Sequence, residues 1–114
     1  MSALRNVRTN SVVASNVARA EKERDRMVGF LQRDTLDGNE GLWFANCKLV
    51  HTFGMRTAID LIFVDGEARI VRMVSGAPAW RIYAERRAQA VIELSVGTAK
   101  RASLSLGDCL VLEN

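Results

Sequence analysis

Thr57-Ala58-Ile59-Asp60-Leu61-Ile62-Phe63-Val64-Asp65-Gly66 is apolar on both parities. Ile59, Leu61 and Phe63 fall on one side of an extended chain, and Ala58, Ile62 and Val64 on the other. A strand apolar on both faces is central in its sheet or lies inside a covered barrel. Asp65-Gly66 follows as a two-residue turn signal of type I′, and Ala68 to Val74 reads as the returning strand. Working outward, Ser11 to Ala18 has the β-branched content of a strand. Gly41 to Phe53 reads as extended with a break near Asn46. Gln89 to Leu94 is a further strand, and Gly107-Asp108 turns into a last one over Cys109 to Leu112. Trp80 to Arg87 carries no clear period, and Ser75 to Ala79 reads as a loop.

One long helix is expected over Ala20 to Gln32, where Arg24, Met27, Val28 and Leu31 recur at helical spacing. Thr98 is placed to cap a helical turn over Ala99 to Ser103. The expected fold is α+β, mostly β. It is a strongly curved, mainly antiparallel, barrel-like sheet of six to seven short strands with one covering helix and one short helical turn. The 114 residues are expected to form a single domain, 1–114, with residues 1–10 as a possible frayed arm in which Asn6 to Asn10 either pair with Ser11 to Ala18 or fray.

Composition narrows the function classes. The chain is 48% hydrophobic and 25% charged, which excludes wholesale disorder and collagen-like repeats. Its net charge is +3, but Arg19, Lys22, Arg24 and Arg26 alternate with Glu21, Glu23 and Asp25. That interleaving reads as a solvated surface, so any nucleic-acid binding is expected to be weak and salt-sensitive. With no signal-peptide run or apolar span, the chain is expected in the cytoplasm, without membrane association.

Several segments together resemble a known family. Cys47, then Val50-His51-Thr52-Phe53-Gly54-Met55-Arg56, then Ile59-Asp60, then Phe63-Val64-Asp65, is similar to the prokaryotic family called domain of unknown function 192. Arg26 and Gly29 with Phe30-Leu31, Glu40 with Gly41-Leu42-Trp43, Val91-Ile92-Glu93-Leu94 with Gly97, and Leu104 to Asp108 extend the likeness over nearly the whole chain. Thr57-Ala58 and Ser95-Val96 depart from the family pattern, away from the Cys-His-Thr-Met-Asp positions. The resemblance implies a small β-rich fold and brings no established activity.

The candidate chemistry concentrates near His51. Cys47, His51 and Met55 are spaced like soft metal ligands, but a blue-copper set needs a second histidine and His51 is the single one. No metal or cofactor is therefore expected. Cys47 and His51 as a nucleophile–base pair would lie about 13 Å apart on a straight strand. Asp60, inside the most apolar strand, must be paired or hydrogen-bonded. The expected partners are the His51 ring, the Thr52 hydroxyl or backbone, or the Arg56 guanidinium.

Three functions follow from these residues. The leading one is a non-enzymatic binding module for a small ligand or protein partner. Its site would be a polar patch of His51, Thr52, Arg56 and Asp60, rimmed by Trp43 and Trp80. A second is a small enzyme with His51 as general acid/base oriented by Asp60, Cys47 being the other candidate catalytic group. The third is a weak nucleic-acid binder. An exposed flat apolar patch would favour a protein partner, a pocket at His51 a small ligand or substrate, and an arginine stripe with exposed tryptophan a nucleic acid.

Two cysteines, 62 positions apart and without a C-x-x-C motif, read as free thiols of a reducing compartment. Thiol titration of protein purified without reductant should find both Cys47 and Cys109 reactive after unfolding. A count near zero without dimer cross-links would contradict this.

Overall fold

The computed structural model describes residues 2–20, 37–53, 55 and 57–114. The helix expected over Ala20 to Gln32 falls almost wholly outside the described residues, as does Arg56.

Strand β5, Ile59–Val64, has all six residues buried, and so does β8, Ala90–Ser95. These two pair antiparallel and are inner strands of a seven-stranded sheet. Burial on both faces requires cover on both sides, and the rest of the chain supplies it. Beyond β5 lies β6, Ile70–Ala77. Beyond β8 come β3, Glu40–Ala45, then β2, Ser11–Ala20, then β1, Ser2–Asn6, and finally β9, Leu110–Glu113. The β2–β3 pair is parallel and the other five pairings of this sheet run antiparallel.

The sheet curls strongly. Bulges interrupt the β1–β2 and β5–β6 ladders, and such insertions bend and twist a sheet. The two ends of the strand order meet at one rim. Arg69 bridges Cys109, Ile70 N donates to Asp108 O at 2.9 Å, and Leu110 N donates to Ala68 O at 3.0 Å. Gly41 permits the tight approach of β3, since a Cβ there would lie 2.8 Å from Leu94 Cδ2 and 3.1 Å from Glu93 O.

Each face of the central strands enters a different core. Leu4, Val13, Val17, Ile62, Val64, Ile92, Leu94 and Leu110 fill the interior of the curl. Helix α1, Thr98–Arg101, brings Ala99 onto that core at one end. On the convex face Ile59, Leu61, Phe63 and Val91 pack with Val50, Met55, Ala77 and Ala88. This second core lies beneath a separate two-stranded sheet, β4 (Leu49–His51) with β7 (Ile82–Ala84).

Several expectations are refined. The break near Asn46 is present, with Asn46 at φ 51° between β3 and β4. Strands number nine among the described residues, because the ambiguous Trp80–Arg87 stretch contains β7. Residues 2–6 are an inner strand hydrogen-bonded on both sides, so that part of the 1–10 arm does not fray. The turn at Asp65-Gly66 is not a two-residue type I′ turn. The Asp65 carboxylate accepts from Glu67 N at 2.9 Å and Arg69 N at 3.0 Å, and the positive φ falls on Ala68, at 61°. An Asx contact has organised a longer turn there. Asp60, rather than Thr98, accepts the free N–H at the start of α1, through Ala99 N at 3.0 Å.

At the closed rim, Asp108 is 4% exposed. It accepts from Arg8 Nε at 2.6 Å, Asn6 Nδ2 at 2.9 Å and Ser105 N at 2.9 Å. The Arg8 hydrogen bond, first among these, holds its carboxyl down at about 2 against an ordinary 3.8. A carboxyl with a depressed folded pKa stabilises the fold above its unfolded pKa and ceases to do so as pH falls through the folded one. Thermal unfolding should therefore lose this contribution between pH 4 and pH 2. Asp108→Asn should cost about 2 kcal/mol at neutral pH and flatten the acid limb. An unchanged acid limb would contradict the assignment.

Candidate functional site

Thr52 organises the site. It is 1% exposed and follows directly on β4. Its hydroxyl donates to Pro78 O at 2.6 Å and accepts from Arg81 N at 2.9 Å. Its amide donates to Arg81 O at 2.9 Å, and its carbonyl accepts from Trp80 N at 3.1 Å and Met55 N at 3.3 Å. One side chain and its own peptide groups thus clamp the 78–81 loop against the end of β4.

The clamp holds an unusual residue in place. Trp80 sits at φ 64°, a left-handed backbone that costs a non-glycine residue about 1–2 kcal/mol. Its side chain is nevertheless 65% exposed. Trp80 stacks on Phe53 with centroids 5.5 Å apart, and Phe53 lies 4.8 Å from the His51 ring. His51 Nδ1 accepts from Phe53 N at 3.3 Å, which places the neutral ring's proton on Nε2.

Strand alternation extends this ring stack into a face. Val50 and Tyr83 point into the convex-side core, so their neighbours turn outward. Leu49 is 55% exposed and Ile82 60% exposed, and Ile82 is the cross-strand partner of His51. The result is an exposed strip of Trp80, Phe53, His51, Ile82 and Leu49.

Of the polar patch expected from the sequence, Asp60 does not join His51 and Thr52, and Arg56 lies outside the described residues. Asp60 is buried, as anticipated, but its carboxylate accepts from Gly76 N at 2.9 Å and Ala99 N at 3.0 Å. It pairs with Leu94 across β8 and shares that residue's face, the interior one. Two backbone amides from distant segments take its oxygens in place of His51 and Thr52, so Asp60 does not orient His51. Thr52 is present at the site, but its hydroxyl is consumed by the 78–81 loop. Trp43 packs partly against the interior core, on the opposite face from His51, so Trp80 alone rims the site. Cys47 Sγ donates to Leu49 O at 3.1 Å. Neither cysteine is in a disulfide. Among the described residues no three His, Cys, Asp or Glu side chains gather as a metal set.

Two residues escaped the sequence reading. Phe53 is the middle ring of the stack; its signal was an aromatic stranded between a short strand and Gly54. Glu93 is 1% exposed, on the same face as its cross-strand partner Leu61. An acid inside Val91-Ile92-Glu93-Leu94 was its visible mark.

The sequence profile of the family DUF192, described as "Uncharacterized ACR", matches residues 5–112. The chain belongs to this family. A UPF0127 protein of Pyrococcus abyssi is 40% identical over 60 residues, 52% of this chain. The match spans 50% of that relative's length. Two crystal structures share the fold. One, from Sinorhizobium meliloti and described as a candidate transcription regulator, has a TM-score of 0.82 at 21% identity, covering 97% of this chain and 92% of that one. The other, a protein of unknown function from Novosphingobium aromaticivorans, has a TM-score of 0.79 at 19% identity, covering 96% of this chain and 82% of that one. DUF192 membership thus agrees with the fold and leaves the activity open.

The two roles separate by mutation. Asp60→Asn replaces one acceptor by a donor facing a backbone amide and should cost about 1–3 kcal/mol in urea unfolding. Thr52→Val should cost a similar amount and also release the 78–81 loop, shifting Trp80 emission in a Trp43→Phe background. Trp80 emission should stay put in Asp60→Asn. Equal emission shifts in both variants would show that Asp60 supports the strip after all.

Proposed function

We propose that this DUF192 protein is a non-enzymatic binding module acting in the cytoplasm, and that it holds a protein partner against the β4–β7 strip. The observation that carries the proposal is Trp80: strained, clamped by Thr52 and yet 65% exposed. Rigid, partly exposed aromatics supply large contact area at little entropic cost, and tryptophan is enriched among residues that dominate interface energetics. Leu49 and Ile82, exposed on the same ribbon, extend the apolar surface rather than a ring of polar catalytic groups. The acid/base alternative lacks its carboxylate, since Asp60 is engaged by Gly76 N and Ala99 N on the other face. No described helix is long and apolar enough to cross a membrane.

The test is site-specific photo-crosslinking in cells, with the probe replacing Ile82 or, as a control, the equally exposed Val7. Protein adducts should form at position 82 and not at 7. They should be competed by excess purified wild-type protein and not by Trp80→Ala. Equal yields at both positions, or competition by Trp80→Ala, would overturn the proposal.

A further inference from the structure

The corner that carries the strip is built from residues 46–53 and 78–88. These hold Lys48, Arg81, Arg86 and Arg87 against a single acid, Glu85. That acid is already engaged, since Arg87 Nε donates to Glu85 Oε2 at 2.8 Å. Arg72 joins from β6, donating to Ala84 O at 2.7 Å.

Lys48, Arg81 and Arg86 therefore stand at this corner with no carboxylate partner among the described residues, while the charge of Arg72 acts on Glu85. Lys48 Nζ bonds only carbonyls, of Arg86 at 2.9 Å and Ala88 at 2.6 Å. Arg81 makes only two long contacts, both 3.4 Å, to the carbonyls of Ala79 and Trp80. Arg72 lies over the Phe63 and Tyr83 rings, 5.6 and 5.9 Å from their centroids. In sequence, these two segments carry four basic residues against one acid, a net +3 equal to that of the entire chain.

Resting on the binding face proposed above, we infer that its occupant is an acidic protein segment, which seats an aliphatic or aromatic side chain on the Trp80–Phe53–Ile82 surface and places carboxylates against Arg81, Arg86 and Lys48. Complementary rim charge selects and steers a partner, while an apolar centre supplies the buried contact. Arginine also takes a carboxylate with two parallel N–H donors. Aromatics beside cations are equally a feature of single-strand nucleic-acid platforms. Here, however, the rings are flanked by Leu49 and Ile82, 55% and 60% exposed, which offer no face for a base to stack on. Buried protein side chains match them.

The full chain, immobilised, is used to select from a displayed library of random dodecapeptides at physiological salt. Enriched peptides should be net acidic and contain Leu, Ile, Phe or Trp. A synthetic winner should bind the double variant Arg81→Glu/Arg86→Glu roughly tenfold more weakly or worse, and high salt should weaken it in the wild type. Thermal unfolding of each variant checks that the fold is retained. Selection of neutral or basic peptides would overturn the inference and leave the binding face standing. Displacement of the winner by oligouridine at lower concentration would replace the acidic segment by a nucleic acid. Enrichment identical on Trp80→Ala protein, or none at all, would overturn the binding face itself.

Discussion

Ile59–Val64 and Ala90–Ser95 are buried on both faces, and that burial constrains everything around them. A two-strand ribbon cannot hide both of its surfaces. Each buried aliphatic side chain is worth about 1.5–3 kcal/mol only if water is excluded from it. The chain meets the demand asymmetrically. One face is enclosed by curling the sheet until β6 and β9 touch at a rim, and the other by laying the β4–β7 ribbon over it. The ribbon's inner residues, Val50 and Tyr83, belong to the core, which obliges their neighbours to face solvent. The exposed strip is therefore a geometric by-product of a lid, and Thr52 is what makes it rigid.

Buried polar groups divide the molecule into a structural end and a displaying end. Asp60 and Asp108 each spend their carboxylates inside the protein, Asp60 on two backbone amides and Asp108 on Arg8, Asn6 and Ser105. Both bind together segments far apart in sequence. The Thr52 clamp does the same over a shorter span, but it ends on a residue that points outward. The difference between a staple and a site here is where the last side chain of the network goes.

Much of this was legible in the residues. Two apolar parities announced β5 as a central strand, and an acid inside it announced a satisfied carboxylate. The identity of its partners was not legible, because a backbone amide leaves no signature and Gly76 and Ala99 lie 16 and 39 positions away. The Asp65-Gly66 turn was misjudged because dipeptide chemistry pointed to glycine's freedom, while Asp65's side chain took two amides and moved the left-handed residue to Ala68. β4 and β7, of three residues each, are too short to show a period. The site lies on them, so His51 and Trp80 were found by residue type while the strip joining them was not.

Strand β1 lies between β2 and β9, and Arg5 pairs with Glu113 at 2.6 Å. During synthesis β1 thus waits for β9, more than a hundred residues further on. Pairings of such large sequence separation must be reached against the entropy of closing nearly the whole chain, which slows folding. Until β9 emerges from the ribosome, β1 presents an open edge that can pair with a neighbouring nascent chain. This sheet can close only after translation has delivered β9, and the interval before that is when it is most exposed to mispairing.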